Sequence, residues 1–337
     1  METFHEEVHM AHNDESTVFV FGSINADTCY RLSTLPLPGQ TVLADSALAS
    51  PGGKGANQAI ASSASGASTE MIGAVGDDLE ASTLIRALAD RGVGVDGIVT
   101  HAGVLTGRAL VLVDDRGENS IVVLPGANAL LDDDVAAEQL TTIAASDVLV
   151  LQNEVPATAN RAAARLARKA GALVIWNAAP APVTYGEIVH DVDLLVVNEN
   201  ELAQLAVLLG VQRSQNAGRD DVISLLSQTV DALGRDSDMT IHGVCTLGAN
   251  GAVYVSGGTS GRVHAPQVHA VDTTAAGDTV VGYLAAHPTL PLCERLELAS
   301  AAAALTVTRQ GASSSIPSLR DVERMLASTT ERTPACE

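Results

Sequence analysis

The segment DVLVLQNEVPATANRAAARLARKAGALVIWN, residues 147–177, decides the fold. It opens on a short apolar run, DVLVLQN, and closes on another, ALVIWN. Runs of that length bounded by turn residues read as buried strands. Between them lies an alanine-rich stretch over 157–170 that ends at Gly171, a helix with its usual stop. Strand, helix and strand in about thirty residues make a βαβ unit, which implies parallel pairing and a right-handed crossover.

The same alternation extends both ways. Towards the C-terminus come a strand at DLLVVN, a helix at 199–209, and strands in TIHGVCTLG and GAVYVS. A polar stretch over 212–238 reads as a surface insertion. Towards the N-terminus, TVFVFGSI is a strand, KGANQAIASSASG a small-residue helix, TEMIGAVG a strand and LEASTLIRALADRG a helix; a further helix is expected near 132–145. The expected fold is α/β and doubly wound, a mainly parallel sheet with helices on both faces. Two segments, about 28–51 and 103–127, break the pattern. The second contains GRALVLVDDRGENSIVVLPGAN, a hairpin turning at DDRGE. Together they are expected to form a small β-sheet lid over the carboxyl edge of the main sheet, where open α/β sheets bind ligands. One domain over 17–325 is expected, between a disordered acidic tail (1–16) and a short C-terminal tail (326–337).

Composition narrows the possible functions. Of 337 residues, 46% are hydrophobic and 18% charged, enough for a sizeable core. The 19 basic residues face 40 acidic ones, a net charge of −21. That balance excludes a nucleic-acid partner held by a basic face. Cys29, Cys245, Cys293 and Cys336 include no Cys-x-x-Cys pair, which argues against zinc and for a reducing compartment. The first 16 residues lack the apolar centre of a signal peptide, and His5, His9 and His12 sit irregularly in that polar stretch. No apolar run approaches the ~20 residues of a membrane span. A soluble, cytoplasmic protein without a membrane partner is expected.

Four stretches carry chemistry. In GSINAD, Asn25 and Asp27 follow a buried strand and can present donors and acceptors to neighbouring hydroxyls; an ordinary Asx turn is the bland alternative. In PGGKGANQA, Gly52, Gly53 and Gly55 allow close backbone approach around Lys54, one of only two lysines, with Asn57 on the first helical turn. In VVNENE, Asn198 and Glu201 stand at a helix start, where a carboxylate serves the helix dipole or orders magnesium and its waters beside phosphates. In VDTTAAGDTVVGYL, the backbone N–H groups of Ala275, Ala276, Gly277 and Asp278 can form an anion site at a helix N-terminus. Asp278 is placed to orient an attacking hydroxyl and collect its proton. An anion hole beside such a carboxylate suits phosphoryl transfer.

GSINAD, GGKGANQA, VVNENE, TLGANG and DTTAAGDT, with GANAL and TRQGASSSIP, follow one another in the order and spacing of one family. From about residue 17 to 319 the chain resembles the ribokinase-like (PfkB) carbohydrate kinases. The resemblance implies that Asn25, Asp27, Gly53, Lys54, Asn57 and Glu154 hold the hydroxyls of a sugar. It implies ATP contacts at Asn198, Thr246, Gly248, Gly251 and Gly277, and Mg2+ at Glu201 through water. Asp278 corresponds to the catalytic base. A monovalent cation, usually K+, is implied at Asp272, Thr274, Val307, Gln310 and Ser315.

The activity implied is ATP-dependent phosphorylation of D-ribose at its 5-hydroxyl, giving ribose 5-phosphate and ADP. Deoxyribose, another sugar or a nucleoside is the alternative acceptor, and a catalytically idle sugar-binding regulator is the alternative class. A nicotinamide oxidoreductase would want GxGxxG after the first strand, which GSINAD does not supply. The chain departs from the family at Val280 and Val281, at WNAAPAP (176–182), and at Arg108, a cationic lid residue where a small or apolar one is common, which leaves the identity of the sugar open. A homodimer through the lid is expected, because an exposed sheet leaves edges and an apolar face to cover.

Overall fold

The computed structural model describes residues 16–116, 118–211, 221–235 and 239–328. In chain order the strands are β1 (Thr17–Phe21), β2 (Asn25–Leu32), β3 (Ala44–Gly52), β4 (Ser68–Gly76), β5 (Ile98–His101), β6 (Gly107–Asp114), β7 (Asn119–Leu124), β8 (Val148–Gln152), β9 (Leu173–Asn177), β10 (Leu194–Asn198), β11 (His242–Thr246), β12 (Ala252–Ser256) and β13 (Thr259–Val263). The helices are α1 (Lys54–Ala64), α2 (Leu79–Ala89), α3 (Asp133–Gln139), α4 (Ala157–Ala170), α5 (Glu199–Leu208), α6 (Asp221–Gly234), α7 (Ala276–Ala286), α8 (Leu292–Thr306) and α9 (Leu319–Ser328).

The main sheet runs β13-β12-β11-β10-β9-β8-β1-β4-β5. Pairing is parallel from β11 to β5, and only β12 and β13 are antiparallel. Its central strands are apolar throughout because helices cover both faces, the usual condition of a parallel sheet. Alternate residues sort into two cores. Phe19, Phe21, Leu149, Leu151 and Trp176 pack on one side with α3, α4, α5 and α6. Val18, Val20, Val148, Val150 and Ile175 pack on the other with α1, α2, α7, α8 and α9. From β1 the chain first adds β4 on one flank and later returns to add β8 on the other, so the strand order reverses at β1. A crevice opens at the carboxyl ends of the strands beside such a reversal.

The two interrupting segments form a second sheet, ordered β3-β2-β6-β7. β2 pairs antiparallel with β3 and parallel with β6, which turns back into β7. Three readings need correction. The helix expected over 132–145 is the shorter α3. β5, of four residues, carried too little pattern to read. Within the stretch taken as a polar surface insertion, α6 buries Leu225, Leu226, Val230 and Leu233 against the main core, while residues 212–220 and 236–238 lie outside the described residues. Its apolar face is spread thinly among Ser, Asp and Gln, so composition hid it. The tails at 1–15 and 329–337 also lie outside the described residues, and α9 continues to Ser328, past the expected boundary at 325.

α1 and α7 approach unusually closely at Gly282. A Cβ there would stand 2.6 Å from the Gln58 carbonyl oxygen and 2.7 Å from the Ser62 nitrogen. Gly282 lies one turn beyond Asp278 on the same face of α7. Gly282→Ala should therefore force the two helices apart and cost about 1–3 kcal/mol, measured as a lower denaturation midpoint; an unchanged midpoint would show that the contact yields freely.

Candidate active site

The carboxyl-edge crevice holds about 250 Å³ and is lined by Lys54, Asn198, Glu201, Thr246, Gly277 and Asp278, among others. Asn198 and Thr246 are direct partners in the β10–β11 register, so two adjacent strand ends place them side by side. On the far wall α7 begins. Ala275, its N-cap, adopts φ 60° and ψ 7°, the sole positive φ outside glycine among the described residues. That left-handed conformation costs an alanine roughly 1–2 kcal/mol, and it turns the chain sharply into the helix. Ala275, Ala276, Gly277 and Asp278 all line the crevice, and a Cβ at Gly277 would meet nothing within 4 Å. The first turn's N–H groups lack intrahelical acceptors and carry the positive end of the dipole, a setting that suits an anion.

Asp278 is buried at the third position of α7. Its Oδ2 accepts from the Asn57 amide at 2.9 Å and its Oδ1 from the Gln58 amide at 3.0 Å. Burial raises its pKa; Lys54, Asn57 and Gln58 pull against that, and Glu154 adds to it. The carboxylate is accordingly a stronger base than its position at a helix start suggests. Burial also lowers the Lys54 pKa, but Asp278, Glu154 and Glu201 outweigh it and hold the ammonium above the usual lysine value.

The lid side assembles the remaining polar residues. Glu154 Oε2 accepts from the Ser23 hydroxyl at 2.6 Å and from the Lys54 backbone N–H at 3.0 Å. Asn25 Oδ1 accepts from the Asn128 amide at 2.8 Å, and Asn128 Oδ1 in turn accepts the Ile24 N–H at 2.9 Å. Gly53, at φ 89°, brings the chain so near the first lid strand that a Cβ would stand 2.9 Å from the Asn25 nitrogen. Asp27 is pushed up to about 7, chiefly by burial and then by Glu154 and Asp278, against backbone hydrogen bonds from Gly53 and Ala109. Asp27 Oδ1 and Asn57 Oδ1 are buried without a partner in the protein. Unpaired buried acceptors in a polar cleft suit a ligand rich in donors, such as one bearing hydroxyls.

At the mouth, Asn198 and Glu201 form a reciprocal cap on α5: Asn198 N–H donates to Glu201 Oε2 at 2.8 Å, and Glu201 N–H donates to Asn198 Oδ1 at 2.9 Å. Burial raises the Glu201 pKa, opposed by Asn198 and Lys54. Behind α7, Asp272 Oδ1 accepts from the Thr274 N–H and hydroxyl, and its Oδ2 from the Gly311 N–H. The Val307 carbonyl accepts the N–H groups of Val271 and Asp272. Burial pushes Asp272 up, but these bonds and Arg31 hold it below the ordinary carboxylate range. The Ser315 hydroxyl donates to Ala312, and the Gln310 carbonyl accepts from Ser314.

Gly248 and Gly251 do not line the crevice. Gly251, at φ 84°, packs its backbone against Val263 and His264 in the turn that leads into β12. Arg108 turns away from the lid face that carries Asn25 and Asp27: its guanidinium lies 3.1 Å from Glu80 and 3.6 Å from Asp78 at the start of α2. Register explains this. Asp27 pairs with Ala109, so Arg108 points to the opposite face of the lid from Asn25 and Asp27. Sequence reasoning passed over Gln58, Ser23, Asn128 and Asn177. Gln58 and Asn128 lie inside stretches already noted, but a motif names neighbours in sequence and cannot say which of them reach one carboxylate.

The sequence pattern of the pfkB family carbohydrate kinases matches residues 15–319. A ribokinase of Haemophilus influenzae is 35% identical over 313 residues, 92% of this chain and 98% of that protein. The crystal structure of a ribokinase from Thermotoga maritima superposes with a TM-score of 0.81 at 31% identity, covering 92% of this chain and 99% of that one. A ribokinase of Arabidopsis thaliana, complexed with ribose and ATP, superposes with a TM-score of 0.79 at 28% identity, covering 92% and 98%. With an α7 anion site and a buried carboxylate at the carboxyl edge, and a family match over nearly its whole length, this chain belongs to the pfkB family of carbohydrate kinases.

Proposed function

We propose that the protein transfers the γ-phosphoryl group of ATP to the 5-hydroxyl of D-ribose, giving ribose 5-phosphate and ADP. The observation that carries this reading is the Asp278 carboxylate, fixed by Asn57 and Gln58 where the polar lid side meets the anion site. The names of the similar proteins support ribose as the acceptor, and the Arabidopsis thaliana protein was captured with ribose and ATP.

In this reading Asn25, Asp27, Asn57 and Glu154 hold the sugar, with the backbone of Gly53 and Lys54 beneath it. Asp278 orients the 5-hydroxyl. The oxygen attacks the γ-phosphorus, the bond to the β–γ bridging oxygen breaks, and the proton passes to Asp278 late in the step. Lys54 and the first-turn N–H groups of α7 stabilise the charge on the transferring group. ATP lies towards Asn198 and Thr246, with Gly248 and Gly251 shaping the loop after β11. Closure of the lid excludes water and suppresses idle hydrolysis.

Two ions complete the reading. Glu201 is an oxygen ligand at the phosphate end of the crevice, with one carboxylate oxygen outside its cap bond, and suits Mg2+, which would neutralise phosphate charge. Asp272, Thr274, Val307, Gln310 and Ser315 offer only oxygen donors and one carboxylate held ionised, a set suited to K+, which would stiffen the loop ahead of α7. The lid edge supports a homodimer: Ile121, Val122, Val123 and Leu124 are all exposed, so neither face of β7 is covered within one chain. Use of ATP as donor agrees with a cytoplasmic setting.

Turnover of ribose should require Mg2+ and rise with K+ relative to a large inert cation, read by ADP release; activity only on another acceptor would move the substrate. Asp278→Asn should lower kcat by roughly 10²–10⁴-fold while calorimetry still detects ribose, and substantial residual turnover would remove Asp278 from its role. Asp27 binds its proton more tightly in the folded than in the unfolded chain. Its contribution to stability is therefore present at low pH and lost as pH rises through about 7. Asp27→Asn should flatten the fall in melting temperature between acid and mildly alkaline pH while abolishing ribose binding. Ile121→Glu should convert a dimer into a monomer by light scattering; a monomeric parent protein would rule the lid dimer out.

A further inference from the structure

Gln58 is wholly buried on α1, and both of its amide protons are engaged within the protein. Its side-chain nitrogen donates twice, to Asp278 Oδ1 at 3.0 Å and to Asn177 Oδ1 at 3.1 Å. Asn177, at the end of β9, donates its own amide to the Val196 carbonyl of β10 at 3.1 Å. These bonds leave one consistent orientation for both amides. Turning Gln58 over would set its oxygen against two acceptors; turning Asn177 over would set its amide donor against the Gln58 donor and its oxygen against the Val196 carbonyl. Gln58 Oε1 is left buried without a partner, so the fold accepts an unpaired acceptor to keep both donors aimed. The proposed reaction uses the bond from Gln58 to Asp278 but gives no part to the anchor at Asn177.

We propose that Gln58, anchored by Asn177, is the positioning residue of the catalytic base: it fixes the plane of the Asp278 carboxylate and keeps it ionised for the incoming hydroxyl. The inference rests on Asp278 being that base. Each carboxylate oxygen receives one amide from α1, Asn57 on Oδ2 and Gln58 on Oδ1, and the remaining lone pairs stay open towards the crevice. Asn57 faces the sugar as well, whereas Gln58 serves the carboxylate alone. The chain from Val196 through Asn177 and Gln58 also ties the base to β10, the strand that ends in Asn198. The base is thereby registered against both halves of the crevice. The charged groups facing Asp278 are Lys54 on α1, Glu154 after β8, Asp27 on β2 and Glu201 on α5. Lys54 favours the ionised form and the three carboxylates oppose it. A donor on Oδ1 adds to the side of Lys54, and its loss must raise the pKa of the base.

Gln58→Met keeps the length of the side chain and removes both donors. Expected is a fall in kcat of roughly 10- to 100-fold, a KM for ribose within about twofold of the parent, and an acid limb of the kcat–pH profile moved to higher pH. Unchanged kcat with an unmoved limb overturns the proposal, and so does a rise in KM alone, which would make Gln58 a sugar contact. Carboxyl-13C NMR titration of Asp278, assigned with Asp278→Asn, reads the same shift without turnover. If the parent protein phosphorylates no ribose, the proposed function fails on that result. The inference then stands if Gln58→Met raises the Asp278 pKa and falls if it does not. Should Gln58→Met fail to fold, Asn177→Ala leaves Gln58 in place without its anchor. It must move kcat, the acid limb and the titration in the same direction by a smaller amount, and no movement overturns the proposal.

Discussion

The active centre depends on one close contact, the approach of α1 to α7 at Gly282. Backbone and small side chains of the two helices touch where any side chain at 282 would intrude. Only at that separation can Asn57 and Gln58, short-reaching amides on α1, both meet a carboxylate one turn away on α7. The same approach sets the Gly-rich turn before α1 beside the anion-binding turn before α7. Two helices remote in sequence thus supply the sugar side and the phosphate side of one crevice. The alanine-rich composition of α1 belongs to this constraint, because bulkier residues would hold the helices apart.

Around that contact the protein gathers charge it would otherwise keep in water. Glu154, Glu201 and Asp278 converge on Lys54, Asp27 faces Glu154 and Asp278, and burial works against ionisation of Asp27, Glu201 and Asp278. Four carboxylates to one ammonium is a poor arrangement for a resting protein. It suits the function proposed, in which hydroxyl donors and, on Glu201, a divalent cation would enter the site. Ala275 adds backbone strain at the same place. Stability is given up where binding can return it, as functional sites commonly do.

Much of this was legible in the sequence. The run over 147–177 specified its two strands and its helix because both apolar runs were strand-length and Gly171 closed the helix. The lid hairpin at DDRGE was equally plain. Asn25, Asp27, Lys54, Asn57 and Asp278 stood out because polar residues beside glycines at strand ends have little packing reason to be there. What stayed hidden was set by tertiary geometry. α6 carries a narrow apolar face that only the main core reveals. The side of the lid on which Arg108 sits follows from pairing with β2, a register no local pattern encodes. Gln58 looked like the neighbour of a binding residue, and its partners Asn177 and Asp278 lie more than a hundred residues away.

The lid has a further consequence for the life of the molecule. Its two hairpins are joined by the parallel pairing of β2 with β6, segments separated by roughly eighty residues of chain that contain β4, β5 and two helices. Such a junction cannot close until the intervening structure has brought its halves together, since loop-closure entropy precedes any gain from long-range pairing. The two halves of the lid therefore stay paired only while the structure between them stands. In the function proposed, sugar lies beneath this junction, so occupancy of the site also holds the two halves of the lid together. Supply of the acceptor then bears on how long each copy survives proteases as well as on how fast it works.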